Sequence, residues 1–225
     1  MVPWILLGRA KTPDGQSEMK LMRRGDEYVI RVQGHELMNS RAHGSEEALA
    51  ELSCANLPDK TRPRVLIGGL GMGFTLAAAI RVLPEKAIIE IAELVEEVVE
   101  WNRGPLGPLA GNPLDDQRVE VHIGDVRVPL KSAVQIYDAI ILDIDNGPTP
   151  LTQASNQGLY GPRGLATMAK ALKPGGTLSV WSAEPDERFT QRLQECGFSV
   201  TVERVRARAQ AGSTHTIWLA VVPPT

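Results

Sequence analysis

At 225 residues, with 43% hydrophobic and 23% charged side chains, the chain is long enough for one sizeable α/β domain with a small appendage. A formal net charge of −3 gives no overall field towards nucleic acid or anionic lipid, and the apolar opening at residues 2–8 is too short for a signal-peptide core or a membrane span. Only Cys54 and Cys196 are present, in neither a metal spacing nor a disulfide framework, which points to a reducing cytoplasm.

Residues 1–57 read as a small β-strand region with a linking helix. "MKLMRRGDEYVIRVQGHELMNS" alternates apolar and polar residues around turn signals at "RGDE" and "QGHE", which predicts two or three short antiparallel strands. "SEEALAELSCANL" follows as a helix with Ser45 at its N-cap and Glu46 and Glu47 in its first turn. "LPDKTRP" breaks the chain before a second unit, residues 58–225. There strands alternate with helices: "RVLIGG", "AIIEIA", "RVEVHIGD", "YDAIILDID" and "GTLSVWSA" are the strands, and "FSVTVERVRAR" and "HTIWLAVV" close as a hairpin. Strands this apolar predict a mostly parallel sheet covered on both faces, with antiparallel strands at one edge.

In "VLIGGLGMGFTLAAAI", Gly69, Gly71 and Gly73 stand at alternate positions between a strand and a helix. Glycine there permits positive φ and lets a ligand touch the backbone, while the helix presents free N–H groups. The Lys-Ser/Thr pair of a P-loop is absent, and Phe74 stands where G-x-G-x-x-G needs its third glycine. G-x-G-x-G suits a nucleoside with an amino-acid-like tail better than a pyrophosphate. Glu90, 17 residues beyond Gly73, is read as the carboxylate that holds a ribose diol. Asp125 ends the next strand and is placed to accept from an adenine amino group, and Asp143 and Asp145 emerge from the fourth. Four polar features at successive strand ends converge on one crevice.

This series resembles the class I S-adenosylmethionine-dependent transferases, and within them the spermidine synthase family. "LDIDNGP" followed by "GLYG", "ALKPGGTLSVWS" and "SRAHGSEEALAEL" carry the resemblance. It implies a Rossmann-like class I methyltransferase fold with a seven-stranded sheet, S-adenosylmethionine or its decarboxylated form as co-substrate, no metal, and a homodimer. The departures are specific. The family's G-G-G-D-G-G has Gly71 in place of its Asp, and its D-S/T-S/T-D-P has Asn146 in place of the second Asp, while Asp143 matches the first. Ser45 and Glu46 stand where the family has Tyr and Gln.

An Asp beside the carboxylate of intact S-adenosylmethionine would repel it, and Gly71 removes that repulsion. The expectation is therefore methyl transfer to a small, amine-type acceptor by in-line displacement. Aminopropyl transfer from the decarboxylated donor is the alternative, and a non-catalytic nucleoside-binding protein the third reading. Asp143 is expected to orient or deprotonate the acceptor, with Asp145 sharing that role, Tyr160 closing over the acceptor, and Asn146, His43 and Glu47 contacting it. Trp101 and Asn102 read as packing and capping, and His215 as structural. Arg204, Arg206 and Arg208 read as a solvated edge face, so neither a nucleic-acid partner nor a membrane partner is expected.

Overall fold

The computed structural model describes residues 2–144, 147–148, 156–207 and 212–224. Its N-terminal part is a sheet of four strands in the order β1-β2-β3-β4, with β1 at Ile5–Lys11, β2 at Glu18–Arg24, β3 at Glu27–Val32 and β4 at His35–Asn39. All neighbours are antiparallel. The β3-β4 hairpin turns on Gln33 and Gly34, both at positive φ (52° and 86°), as a two-residue turn matched to strand twist requires. β1 is the strand the sequence pattern does not announce. Ile5, Leu6 and Leu7 form a continuous apolar run and are all exposed, so period-two alternation is lost.

Helix α1 (Gly44–Cys54) begins at His43 as N-cap, two residues before the expected cap. Gly44 N–H is tied to the carbonyl of Ala207, and the Ser45 side chain is buried rather than capping. α1 leads into the main sheet. Its elements are β5 (Arg64–Gly68), α2 (Phe74–Val82), β6 (Ile88–Glu93), α3 (Glu96–Arg103), β7 (Val119–Ile123), α4 (Arg127–Ser132), β8 (Tyr137–Leu142), α5 (Asn156–Tyr160), α6 (Pro162–Ala171), β9 (Leu172–Ser182), α7 (Glu187–Glu195), β10 (Ser199–Arg206) and β11 (Thr214–Val221).

The seven strands lie in the order β10-β11-β9-β8-β5-β6-β7. β9, β8, β5, β6 and β7 pair in parallel, and β11 runs against both of its neighbours. This is the Rossmann-like α/β fold expected, with its C-terminal antiparallel hairpin at one edge. Alternate residues of the central strands feed two cores. Val65, Ile67, Ile89, Ile91 and Ile141 pack beneath α1, α2 and the N-terminal sheet, and Leu66, Ile140 and Leu142 pack with Leu165, Met168 and Phe189 on the other face. The chain leaves β5 towards β6 and later returns to place β8 on its other side. The strand order therefore reverses at β5, and a crevice opens beyond the carboxyl ends of the strands. No helix among the described residues is long and apolar enough to cross a membrane.

Candidate active site

A cavity of about 360 Å³ occupies that crevice. Its floor is the loop between β5 and α2. Gly69 (φ 89°), Gly71 (φ 52°) and Gly73 (φ 85°) are all left-handed. A side chain at Gly69 would collide with the backbone carbonyl of Asp143, and one at Gly73 would come within 2.8 Å of Asn102 Oδ1. Asn102 clamps the loop by donating Nδ2 to the Gly71 carbonyl at 2.8 Å, a role that goes beyond the helix capping read from the sequence. A Cβ at Gly71 would lie 3.2 Å from Met38 Sδ. The N-terminal sheet thus closes over the glycine loop, and Met19, Ile30, Leu37 and Met38 give the cavity an apolar wall.

The strand-end carboxylate is Glu93, not Glu90. Glu90 lies mid-strand and is 3% exposed. It accepts from Arg64 Nε at 2.5 Å and Tyr137 OH at 3.0 Å, and it does not line the cavity. The strand runs one residue beyond the expected Ala92, which puts Glu93 rather than Glu90 at its cavity end. Glu93, the last residue of β6, accepts from the backbone N–H of Leu70 and of Val95, both at 2.9 Å, and faces the cavity. Burial pushes its pKa up, against those backbone donors. It stands 20 residues beyond Gly73, against 17 for Glu90.

Asp125 lines the cavity beyond β7. It accepts from Arg127 Nε and from the Arg127 backbone N–H at 2.8 Å, and the guanidinium holds its carboxyl below the usual range.

At the other end stand Asp143 and Glu46. Asp143 follows β8 and accepts from Thr75 Oγ1 at 2.5 Å. Burial raises its pKa to about 6, against the Thr75 hydrogen bond. Glu46, in the first turn of α1, lines the same cavity, and burial together with the charge of Asp143 raises its pKa to about 7. Among the described residues neither carboxylate is in an ion pair, and the one cation in the cavity wall, Arg127, is committed to Asp125.

Other expected contacts lie elsewhere. His43 and Glu47 pair with each other at 3.1 Å outside the cavity, His43 stacked on Phe74 with ring centroids 4.1 Å apart. The helix turn that takes Glu47 outward brings Glu46 in. Tyr160 is 1% exposed and packs edge-on against Phe189 in the core of the opposite face, so it does not cover the cavity. Asp145 and Asn146 lie outside the described residues. Among the described residues no group of three or more His, Cys, Asp or Glu is placed to hold a metal ion.

Residues 43–196 match the model of the spermine/spermidine synthase domain. Curated relatives include the polyamine aminopropyltransferases of Nitrosomonas europaea, 29% identical over 124 residues, and of Bacillus mycoides, 31% identical over 137 residues. These alignments cover 55% and 58% of this chain but 36% and 46% of the relatives, so the chain spans less than half of their length. By fold, the chain superposes on spermidine synthase from Thermotoga maritima with a TM-score of 0.76 at 18% identity, covering 96% of this chain and 72% of that one. A spermidine synthase in complex with the transition-state analogue AdoDATO superposes with a TM-score of 0.74, also at 18% identity.

The expectation of methyl transfer is overturned. The relatives that match are aminopropyltransferases by name. The physical reason lies in the cavity. Gly71 removes one negative charge, but Glu46 and Asp143 face the same space. The carboxylate of intact S-adenosylmethionine finds no uncommitted cation in that wall among the described residues.

Proposed function

The chain belongs to the spermine/spermidine synthase family, and from that membership we propose that it transfers an aminopropyl group from decarboxylated S-adenosylmethionine to an amine. The observation that carries this reading is the half-buried pair Glu46 and Asp143, two carboxylates without a cationic partner among the described residues, in a cavity that also has an apolar wall of Met19, Ile30, Leu37 and Met38. Such a site attracts ammonium groups and repels a carboxylate.

In this reading the nucleoside lies over the glycine loop, with Glu93 towards the ribose and Asp125 towards the adenine. The acceptor amine approaches Asp143. As an ammonium it has no lone pair, so it first gives a proton to a carboxylate whose pKa is raised towards neutrality. The neutral nitrogen then attacks the aminopropyl carbon next to the sulfonium. A C–N bond forms, the C–S bond breaks, and its electron pair returns to sulfur as methylthioadenosine leaves. The leaving group needs no protonation, so the remaining work is alignment and exclusion of water. Family resemblance also carries our expectation of a homodimer, which sedimentation equilibrium checks.

The test is calorimetric titration with both donors, followed by methylthioadenosine release with a diamine such as putrescine. Binding of the decarboxylated donor at least about tenfold tighter than the carboxylate-bearing one is expected, as about 1.4 kcal/mol of repulsion gives. Equal or tighter binding of intact S-adenosylmethionine sinks the reading.

A further inference from the structure

A line of hydrogen bonds runs from Glu46 to the protein surface. Ser45, fully buried, donates its hydroxyl to Glu46 Oε2 at 2.6 Å, and its Oγ lies 2.8 Å from His215 Nδ1 on β11. The other ring nitrogen, Nε2, lies 2.8 Å from the Oγ of Ser213, which is exposed. Ser45 has one hydroxyl proton, and the carboxylate takes it. Nδ1 is therefore the donor to Ser45 Oγ, and Nε2 accepts from Ser213. Trp181, from the cavity wall, meets the imidazole edge-on with centroids 4.7 Å apart and fixes its plane. Burial lowers the His215 pKa and keeps the ring neutral near pH 7.

We propose that Ser45 and His215 form a proton path that links Glu46 to solvent, so that this carboxylate exchanges its proton while substrates fill the cavity. The proposal rests on the aminopropyl-transfer reading, in which an ammonium must shed a proton inside a closed site. Inward, a solvent proton adds to Nε2, the Nδ1 proton passes to Ser45 Oγ, and the Ser45 proton passes to Glu46 Oε2. That leaves a neutral acid and a neutral imidazole protonated at Nε2. Outward, the same shifts run in reverse and release one proton to solvent. A proton that Glu46 takes from the bound ammonium leaves by this outward route once the ring carries its proton at Nε2.

The charged groups facing Glu46 are Asp143 at the end of β8 and Glu47 on its own helix, the latter held by His43. Thr75 of α2 places its hydroxyl 3.4 Å from the Glu46 carbonyl. On β10, Val205 pairs with His215, so the neighbouring Arg204 and Arg206 alternate to the opposite face.

The first test does not depend on turnover. Ring ¹⁵N and Glu46 carboxyl ¹³C shifts are followed by NMR in the full chain from pH 5 to 9. The expected result is an Nδ1–H tautomer above neutrality that shifts towards Nε2–H with the same midpoint as Glu46. A ring that stays Nε2–H throughout, or ignores the Glu46 titration, overturns the path. The second test is the pH profile of His215→Asn, whose amide still donates to Ser45 but relays no proton. We expect kcat to fall at least about tenfold, KM to change less than about threefold, and added imidazole to restore kcat. An unchanged kcat, or a loss that imidazole does not recover, means that His215 only holds Ser45 in place. Absence of turnover in the unsubstituted chain would count against the proposed function, and the NMR result would still decide the path.

Discussion

The two ends of the cavity handle negative charge in opposite ways. At one end, Glu93 accepts from two backbone N–H groups, with burial still raising its pKa, and Asp125 is paired with the Arg127 guanidinium. At the other end, Glu46 and Asp143 take hydroxyl hydrogen bonds from Ser45 and Thr75, and neither meets a cation among the described residues. Carboxylates held in this way fix the shape of a loop. Half-buried carboxylates that lack a counter-charge, as Glu46 and Asp143 do among the described residues, favour a ligand that brings one. In the proposed function, the difference separates a preformed nucleoside seat from a site poised to take an ammonium.

The sharpest break in this comparison is Asp143→Asn. The amide keeps the volume and still accepts from Thr75, but it takes no proton and carries no charge. We expect kcat to drop by about 10²- to 10⁴-fold with donor binding changed far less. Comparable losses in donor Kd and kcat would place Asp143 in the nucleoside seat instead. Next comes Glu93→Ala, which strips the acceptor from Leu70 N–H and Val95 N–H. Each buried donor left unpaired costs about 1–3 kcal/mol, so donor Kd should rise by at least tenfold and the melting temperature should fall. Retention of wild-type donor affinity would remove Glu93 from the seat.

Sequence patterning carried the main sheet and the glycine loop because both rest on strong local constraints. Apolar strands of five to eight residues declare themselves, and the positive φ values at Gly69, Gly71 and Gly73 leave few alternatives to glycine. The choice between neighbours was not readable in the same way. Glu46 and Glu47 sit one position apart in the first turn of α1, about 100° around the helix, and which of them faces inward follows from packing. Gly44 against Ala207, together with Ser45 against His215, sets that rotation through contacts over 160 residues away. Glu90 and Glu93 differ by strand parity and by where β6 ends, and boundaries are where local pattern is weakest.

The uncompensated pair also makes stability depend on pH. Burial holds the pKa of Asp143 at about 6 and of Glu46 at about 7, above unfolded values near 4. The folded state therefore binds protons more tightly than the unfolded chain. The stabilisation from these groups is fully present below about pH 4 and is lost as pH rises through 6 and 7. The ligand-free protein should accordingly lose melting temperature between pH 5 and 8. Glu46→Gln should flatten the upper part of that fall. A variant with the same slope as the wild type would mean that Glu46 is not protonated in the folded state at neutral pH.

The smallest expected effect is the one that separates the two carboxylates of β6. Glu90 answers to Arg64 and Tyr137 on the face away from the N-terminal sheet. Arg64 is 38% exposed, so water screens much of that pair. In Glu90→Gln the amide oxygen accepts from Arg64 without charge assistance, the amide NH2 takes the place of the oxygen that accepted from Tyr137 so that this hydroxyl must turn to accept, and stability should fall by about 1 kcal/mol. Donor affinity should stay within about twofold, because nothing in the cavity wall moves. Glu93→Ala, in contrast, should weaken donor binding at least about tenfold as well as lower stability. If Glu90→Gln weakened donor binding as Glu93→Ala does, the middle and the end of β6 would be coupled through the strand. The seat would then extend beyond the cavity residues to the buried charge network behind it.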